Sequence, residues 1–140
     1  MTRVADKTNR TGVEYLFDNL VCFIQEAITI MIRETIERIE SMLKDHESIN
    51  DEKKTELLDL IYTLKSEVGE LSKTHDEQAK SVVGFAEQTA REATRTKKDA
   101  VLFKLSLDGL GKSVREFEAS HPKLVGAVDS ICEALANAGI

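Results

Sequence analysis

Apolar residues recur every three or four positions along four regions of the chain, and that spacing predicts helices. The two most regular ladders stand near the C-terminal end. One is Phe103, Leu107, Leu110, Val114 and Phe117, and the other is Leu124, Val128, Ile131 and Leu135. Each steps by four and three, which lays one apolar seam along a helix and turns it toward a partner. Ser120, His121 and Pro122 separate the ladders. A Ser hydroxyl can accept from an orphan amide, and Pro is tolerated in a first helical turn. A helical hairpin with a tight corner is expected here.

Residues 1–10 are polar and offer little to bury, which predicts a flexible terminus. A first helix should start near Thr11 or Gly12. From Val13 to Leu43 its apolar positions cover an arc of roughly 240° at 100° per residue, wider than the stripe of a surface helix. One flanking helix cannot cover that arc. Either the helix is central and touches three neighbours, or part of it is buried against a second chain. The second solution is preferred, and it makes Leu20, Ile24, Ile28, Met31 and Ile32 candidates for a homodimer interface.

Lys44 to Ile49 interrupts the pattern, and Asn50 is a good N-cap ahead of Asp51 and Glu52. Leu57, Ile61, Leu64, Val68 and Leu71 then form a two-heptad seam, which fails where its register reaches His75 and Gln78. The pattern resumes out of phase at Val82, Phe85, Ala86, Ala90 and Ala93. Thr74 to Glu77 also spells T-x-x-E, a capping-box pattern. One continuous helix from Asp51 to Thr94 would be about 65 Å long at 1.5 Å per residue, so a break near Ser72–Asp76 is favoured. Asp99 offers an N-cap to the helix carrying the first ladder. Gly139 offers a C-cap at the end, with Ile140 as an apolar latch.

Length and composition narrow the class. A chain of 140 residues fits one helical domain, with a core that needs neither metal nor disulfide. The net charge of −6 disfavours a polyanionic partner, so nucleic acid is unlikely unless basic residues cluster. Aromatic residues make up 5% and Trp is absent, which argues against base-stacking surfaces. Cys22 and Cys132 lack the spacing of a redox or zinc motif and read as reduced thiols of a cytoplasmic protein. The N-terminus shows no signal-peptide pattern. The run Leu20 to Ile32 is interrupted by Gln25, Glu26 and Thr29, and by itself is too short and too polar to span a bilayer.

From about Ile49 onward, roughly two-thirds of the chain resembles a family of small bacterial proteins that carry a domain of unknown function. The matching strings are Ile49 to Lys54, Glu56 to Leu60, Glu92 to Arg95, Leu105 to Leu107 with Gly109-Leu110, and Ala134-Leu135 with Gly139-Ile140. The most specific is Phe117-Glu118-Ala119-Ser120-His121-Pro122-Lys123-Leu124. The resemblance implies a helical, cytoplasmic protein and no particular activity. This chain reads Asp99-Ala100 where the family often has Asn-Pro, and Gly111-Lys112-Ser113 where small polar residues are more usual.

Few motifs suggest chemistry. Gly109 to Ser113 (GLGKS) looks like the end of a phosphate-binding loop, but the motif's first Gly is replaced by Ser106 and the segment keeps helical phase. Small residues that let a neighbour approach closely are the simpler explanation. Glu118-x-x-His121 is half of a di-metal motif without its second half. His121 fits better as a corner residue that bonds a backbone group, with Ser120 and Pro122 completing the structural corner. His75 could titrate near neutral pH but stands where capping histidines are commonly solvated. Arg91, Arg95, Lys97 and Lys98 form the one notable basic cluster. Arg91, Arg95 and Lys98 share a helix face that could take a phosphate or an acidic partner, although a solvated charge run is the commoner outcome.

These readings converge on an all-α antiparallel bundle of four or five helices with coiled-coil-like packing. The function expected is a non-enzymatic interaction or scaffold module, a homodimer with room for a further protein partner. No catalytic, cofactor or metal residues and no membrane contact are expected. The alternative is a nucleic-acid- or phosphate-binding regulator that uses the Arg91–Lys98 cluster, and a helical metalloenzyme is a minor third.

Overall fold

A computed structural model of the protein describes residues 12–138. It contains helices α1 (Gly12–Asp45), α2 (Asp51–Ser72), α3 (Asp76–Ala93), α4 (Ala100–Lys112) and α5 (Pro122–Asn137), with a 3-10 turn at Arg115–Phe117 before α5. The described residues include no strand, so the fold is an all-α bundle. The expected flexible segment 1–10 and the Gly139–Ile140 cap lie outside the described residues.

Local chemistry sets the boundaries. Asn50 Oδ1 accepts from the Lys53 amide at 2.8 Å, which caps α2 as the sequence suggests. The break after Ser72 falls where the seam would have put His75 in the core. There the His75 amide donates to the Leu71 carbonyl at 2.8 Å and closes the turn. The capping box at Thr74 does not form. His75 is the N-cap of α3 without a side-chain cap bond, because Thr74 Oγ1 is spent on the His75 ring at 2.8 Å. Asp99 caps α4 as expected, accepting from Val101 and Leu102. The Phe103–Phe117 ladder is not one helix, since α4 ends at Lys112 and the 3-10 turn carries Phe117 inward.

Short connections reverse the chain from α1 to α2 and from α2 to α3. The Gln25 amide meets the Ser72 carbonyl at the far end of α2, so α1 and α2 are antiparallel and α3 returns alongside α1. Helix α2 also packs on α5, and α3 on α4. The core joins Ile36, Ile39 and Leu43 of α1 to Leu57, Ile61, Leu64, Val68 and Leu71 of α2. Val82, Leu110, Leu124, Val128 and Ile131 complete it from the other helices. Each such side chain contributes about 1.5–3 kcal/mol by leaving water.

The buried hydroxyls are satisfied within their own helices. Thr35, Thr89 and Ser106 each donate to the carbonyl four residues back, and Ser72 to Gly69. Buried Glu92 receives bonds from Arg95 and Gln88. Arg38 takes Glu87 of α3 at 2.6 Å instead of the helix-spaced Glu34, which links α1 to α3.

Candidate functional site

Helix α1 is longer than the bundle it belongs to. Its register against the other helices is marked by Gln25, whose Nε2 donates to the Ser72 carbonyl across 3.1 Å. Beyond that level α1 continues from Ile24 back to Gly12, thirteen residues or roughly 20 Å at 1.5 Å per residue. Every residue of that overhang is exposed except Asp18, which is half-buried. Its large apolar side chains are therefore in water: Phe23 is 68% exposed, Phe17 63%, Leu20 54% and Ile24 46%.

The five interface candidates divide at this level. Leu20, Ile24 and Met31 are exposed and available, whereas Ile28 and Ile32 belong to the chain's own core. The 240° arc is two faces in one: the lower helix turns Ile28, Ile32, Ile36 and Ile39 inward, and the upper helix leaves its apolar face uncovered. Sequence periodicity sees only the sum.

The helix also exceeds the sequence estimate of apolar length. The run Leu20–Ile32 is short, but Tyr15, Leu16 and Phe17 extend the apolar stretch of α1 toward its start. An 18-residue stretch reaches a mean hydropathy of 1.4 with 11% of it buried, and by length and composition α1 is long and apolar enough to cross a membrane.

The basic cluster is arranged differently from its sequence appearance. Because α3 ends at Ala93, only Arg91 is on a helix; Arg95 and Lys98 sit in the connection to α4, so the three do not share one helical face. Each has an acceptor in its own chain. Arg91 pairs with Glu87 at 3.5 Å, Arg95 with Glu92 at 2.9 Å, and Lys98 Nζ donates to the Ala93 carbonyl at 2.5 Å. Burial lowers the proton affinity of Lys98. Beside it His46, which no sequence signal singled out, has its ring Nε2 buried without a hydrogen-bond partner among the described residues. Burial first, then the charges of Lys98 and Lys54, lower the pKa of the His46 ring.

The Ser120–His121–Pro122 corner stands between the 3-10 turn and α5, with Pro122 at the helix start as expected. His121, not Ser120, is the N-cap, and its ring meets the Ser120 hydroxyl at 3.0 Å instead of a backbone group. The backbone closes the corner, the His121 amide donating to the Phe117 carbonyl at 2.8 Å. His75 and His121 both approach the buried Phe117 ring edge-on, at 5.2 and 5.8 Å between centroids. Glu118 is held by Arg115 at 3.1 Å. Among the described residues no group of three or more His, Cys, Asp or Glu could hold a metal ion.

The GLGKS segment is helical from Gly109 to Lys112, so its amides serve the helix. Gly109 has a packing reason, since a Cβ there would lie 2.5 Å from the Phe85 ring. Gly111 faces open space and has none.

Residues 57–140 match the domain of unknown function DUF4404. The chain belongs to the DUF4404 family. No curated protein and no solved structure matches it. The DUF4404 segment begins inside α2 and comprises the rest of that helix with α3, α4 and α5. Helix α1, with its overhang, precedes the matched segment, as do the resemblance residues Ile49 to Glu56. The DUF4404 part supplies most of the core against which the lower half of α1 packs.

Proposed function

We propose that this DUF4404 protein is a non-enzymatic helical interaction module that acts as a homodimer, with the α1 overhang as its docking element. The observation that carries this is the row of large apolar side chains from Val13 to Ile24 exposed above the level of Gln25 and Ser72. Soluble monomers rarely expose a contiguous apolar patch of more than a few hundred Å². Covering half of one Leu, Ile or Phe side chain is worth about 1 kcal/mol, so covering this row recovers several kcal/mol per chain, enough to offset much of the cost of association.

A second copy is preferred to a bilayer as the cover. Glu26 lies near the middle of the apolar stretch and Asp18 toward its start, and a carboxylate deep inside a membrane-crossing helix is costly to insert. The overhang also carries no Lys or Arg to meet anionic headgroups. In this reading the protein works in the cytoplasm, with Cys22 and Cys132 as free thiols.

Light scattering on the purified chain tests the proposal. A mass of at least two chains, reduced to one by Leu20→Glu, supports it. A 15.6 kDa species at micromolar concentration overturns it, and flotation of that species with phosphatidylcholine vesicles would assign the helix to lipid.

A further inference from the structure

The corner between α1 and α2 carries a ring that is held in one tautomer. His46 Nδ1 accepts from the Ser48 amide at 3.2 Å, so the neutral ring keeps its proton on Nε2. Nε2 is buried and has no hydrogen-bond partner among the described residues. The Ala93 carbonyl, which favours the charged ring, is already bonded by Lys98 Nζ. The two segments meet in one cleft, to which the end of α1 and its corner contribute Met42, Asp45 and Glu47 and the connection from α3 to α4 contributes Thr94, Arg95 and Lys98.

Charges face the ring from three elements. Lys54 of α2 and Lys98 of the connection both oppose a second positive charge. Arg95 is committed to Glu92 at 2.9 Å. Asp45 and Glu47 of the corner itself are exposed, where solvent and salt weaken their pull. A proton arriving at Nδ1 turns an acceptor into a donor and sets it against the Ser48 N–H. The same proton places a cation beside Lys98 and Lys54. Both effects drive the ring from its seat, and with it the turn that buries Ile49, whose amide reaches back to the His46 carbonyl at 3.4 Å.

We propose that His46 is a pH-sensitive latch: unprotonated, it holds the α1–α2 corner closed against the α3–α4 connection, and taking up a proton in mild acid opens that end of the bundle and exposes Ile49. Burial, then Lys98 and Lys54, set the folded ring below the ordinary 6.5 of an unfolded one. The stability contributed by the neutral ring is therefore complete above pH 6.5 and lost as pH falls from there toward the folded value.

NMR of the full chain tests the latch. Long-range nitrogen–proton correlations at pH 7.5 should place the ring proton on Nε2, and a proton on Nδ1 overturns the proposal whatever the variants do. Between pH 7.5 and 5.0 the Ser48 and Ile49 amides should lose at least about threefold in protection, after correction for intrinsic exchange, in step with the titration of the His46 ring. His46→Asn cannot titrate yet offers Oδ1 to the Ser48 amide, as Asx turns do, and should keep that protection at both pH values. Lys98→Met should move the midpoint of the ring upward. A ring that titrates while both amides stay protected overturns the latch, as does an equal acid loss in His46→Asn or an unmoved midpoint in Lys98→Met. The corner stands at the opposite end of α1 from the overhang, so these readouts do not depend on self-association.

Discussion

Gln25 Nε2 donates to the backbone carbonyl of Ser72 across 3.1 Å, tying the middle of α1 to the end of α2. The bond is partly buried and satisfies a carbonyl that the end of a helix leaves without an internal partner. Replacing Gln25 with Ala is expected to cost about 0.5–1.5 kcal/mol in urea unfolding, the usual net worth of such a bond, without changing the mass of the assembly.

Phe85 and Gly109 fix the approach of α3 to α4. The ring occupies the place of a residue-109 side chain, so Gly109→Ala must displace it, whereas Gly111→Ala meets nothing. Gly111→Ala is expected to stabilise the protein by up to about 1 kcal/mol through helix propensity. Gly109→Ala should fall short of that gain and recover it when Phe85 is also Ala. Unfolding of the four species in a double-mutant cycle should give a coupling of about 0.5–2 kcal/mol.

The two cysteines should behave as opposites. Cys22 is exposed on the polar side of the overhang, while burial pushes the Cys132 thiol up to about 11. At pH 8 a thiol reagent should modify one equivalent rapidly, at Cys22, and the second only on unfolding. The folded thiol holds its proton to a higher pH than the unfolded one, whose ordinary value is 9.0. The stability contributed by neutral Cys132 is therefore complete below pH 9 and lost as pH rises toward about 11. Cys132→Ser should flatten that part of the stability profile.

Phe117 is buried at the top of the bundle, between the edges of His75 and His121. Its truncation to Ala should cost about 3–5 kcal/mol, whereas Phe117→Leu, which keeps most of the volume, should remain folded with a smaller loss in urea unfolding.

Much of the fold was legible in the sequence because seams and caps are local. The 4-3 spacing of Leu57 to Leu71, the Asn50 and Asp99 caps and the break where the register meets His75 required no knowledge of distant partners. Helix ends governed by competition were not legible. Thr74 could cap α3 or bond the neighbouring ring, and it does the second. Val114 and Phe117 continue the α4 ladder in number, yet they reach the core through a 3-10 turn. The candidate surface was half legible: a wide apolar arc reveals that a helix has more than one partner, but not which residues its own chain covers. Ile28 and Ile32 were indistinguishable from Ile24 until Gln25 was placed beside Ser72. The basic cluster misled for the same reason, because Arg95 and Lys98 keep helical spacing from Arg91 while the helix stops at Ala93.

Hydrogen exchange along α1 tests most directly whether the overhang is an interface. Isolated helices this short are marginal in water, so amides from Val13 to Ile24 keep protection only if another copy covers them. At tens of micromolar wild-type protein those amides should exchange slowly, and Leu20→Glu should make them fast while leaving the Ile32–Leu43 segment protected. Exchange from Val13 to Ile24 in the wild type as fast as in the Leu20→Glu variant would contradict the assignment of α1 as the docking element.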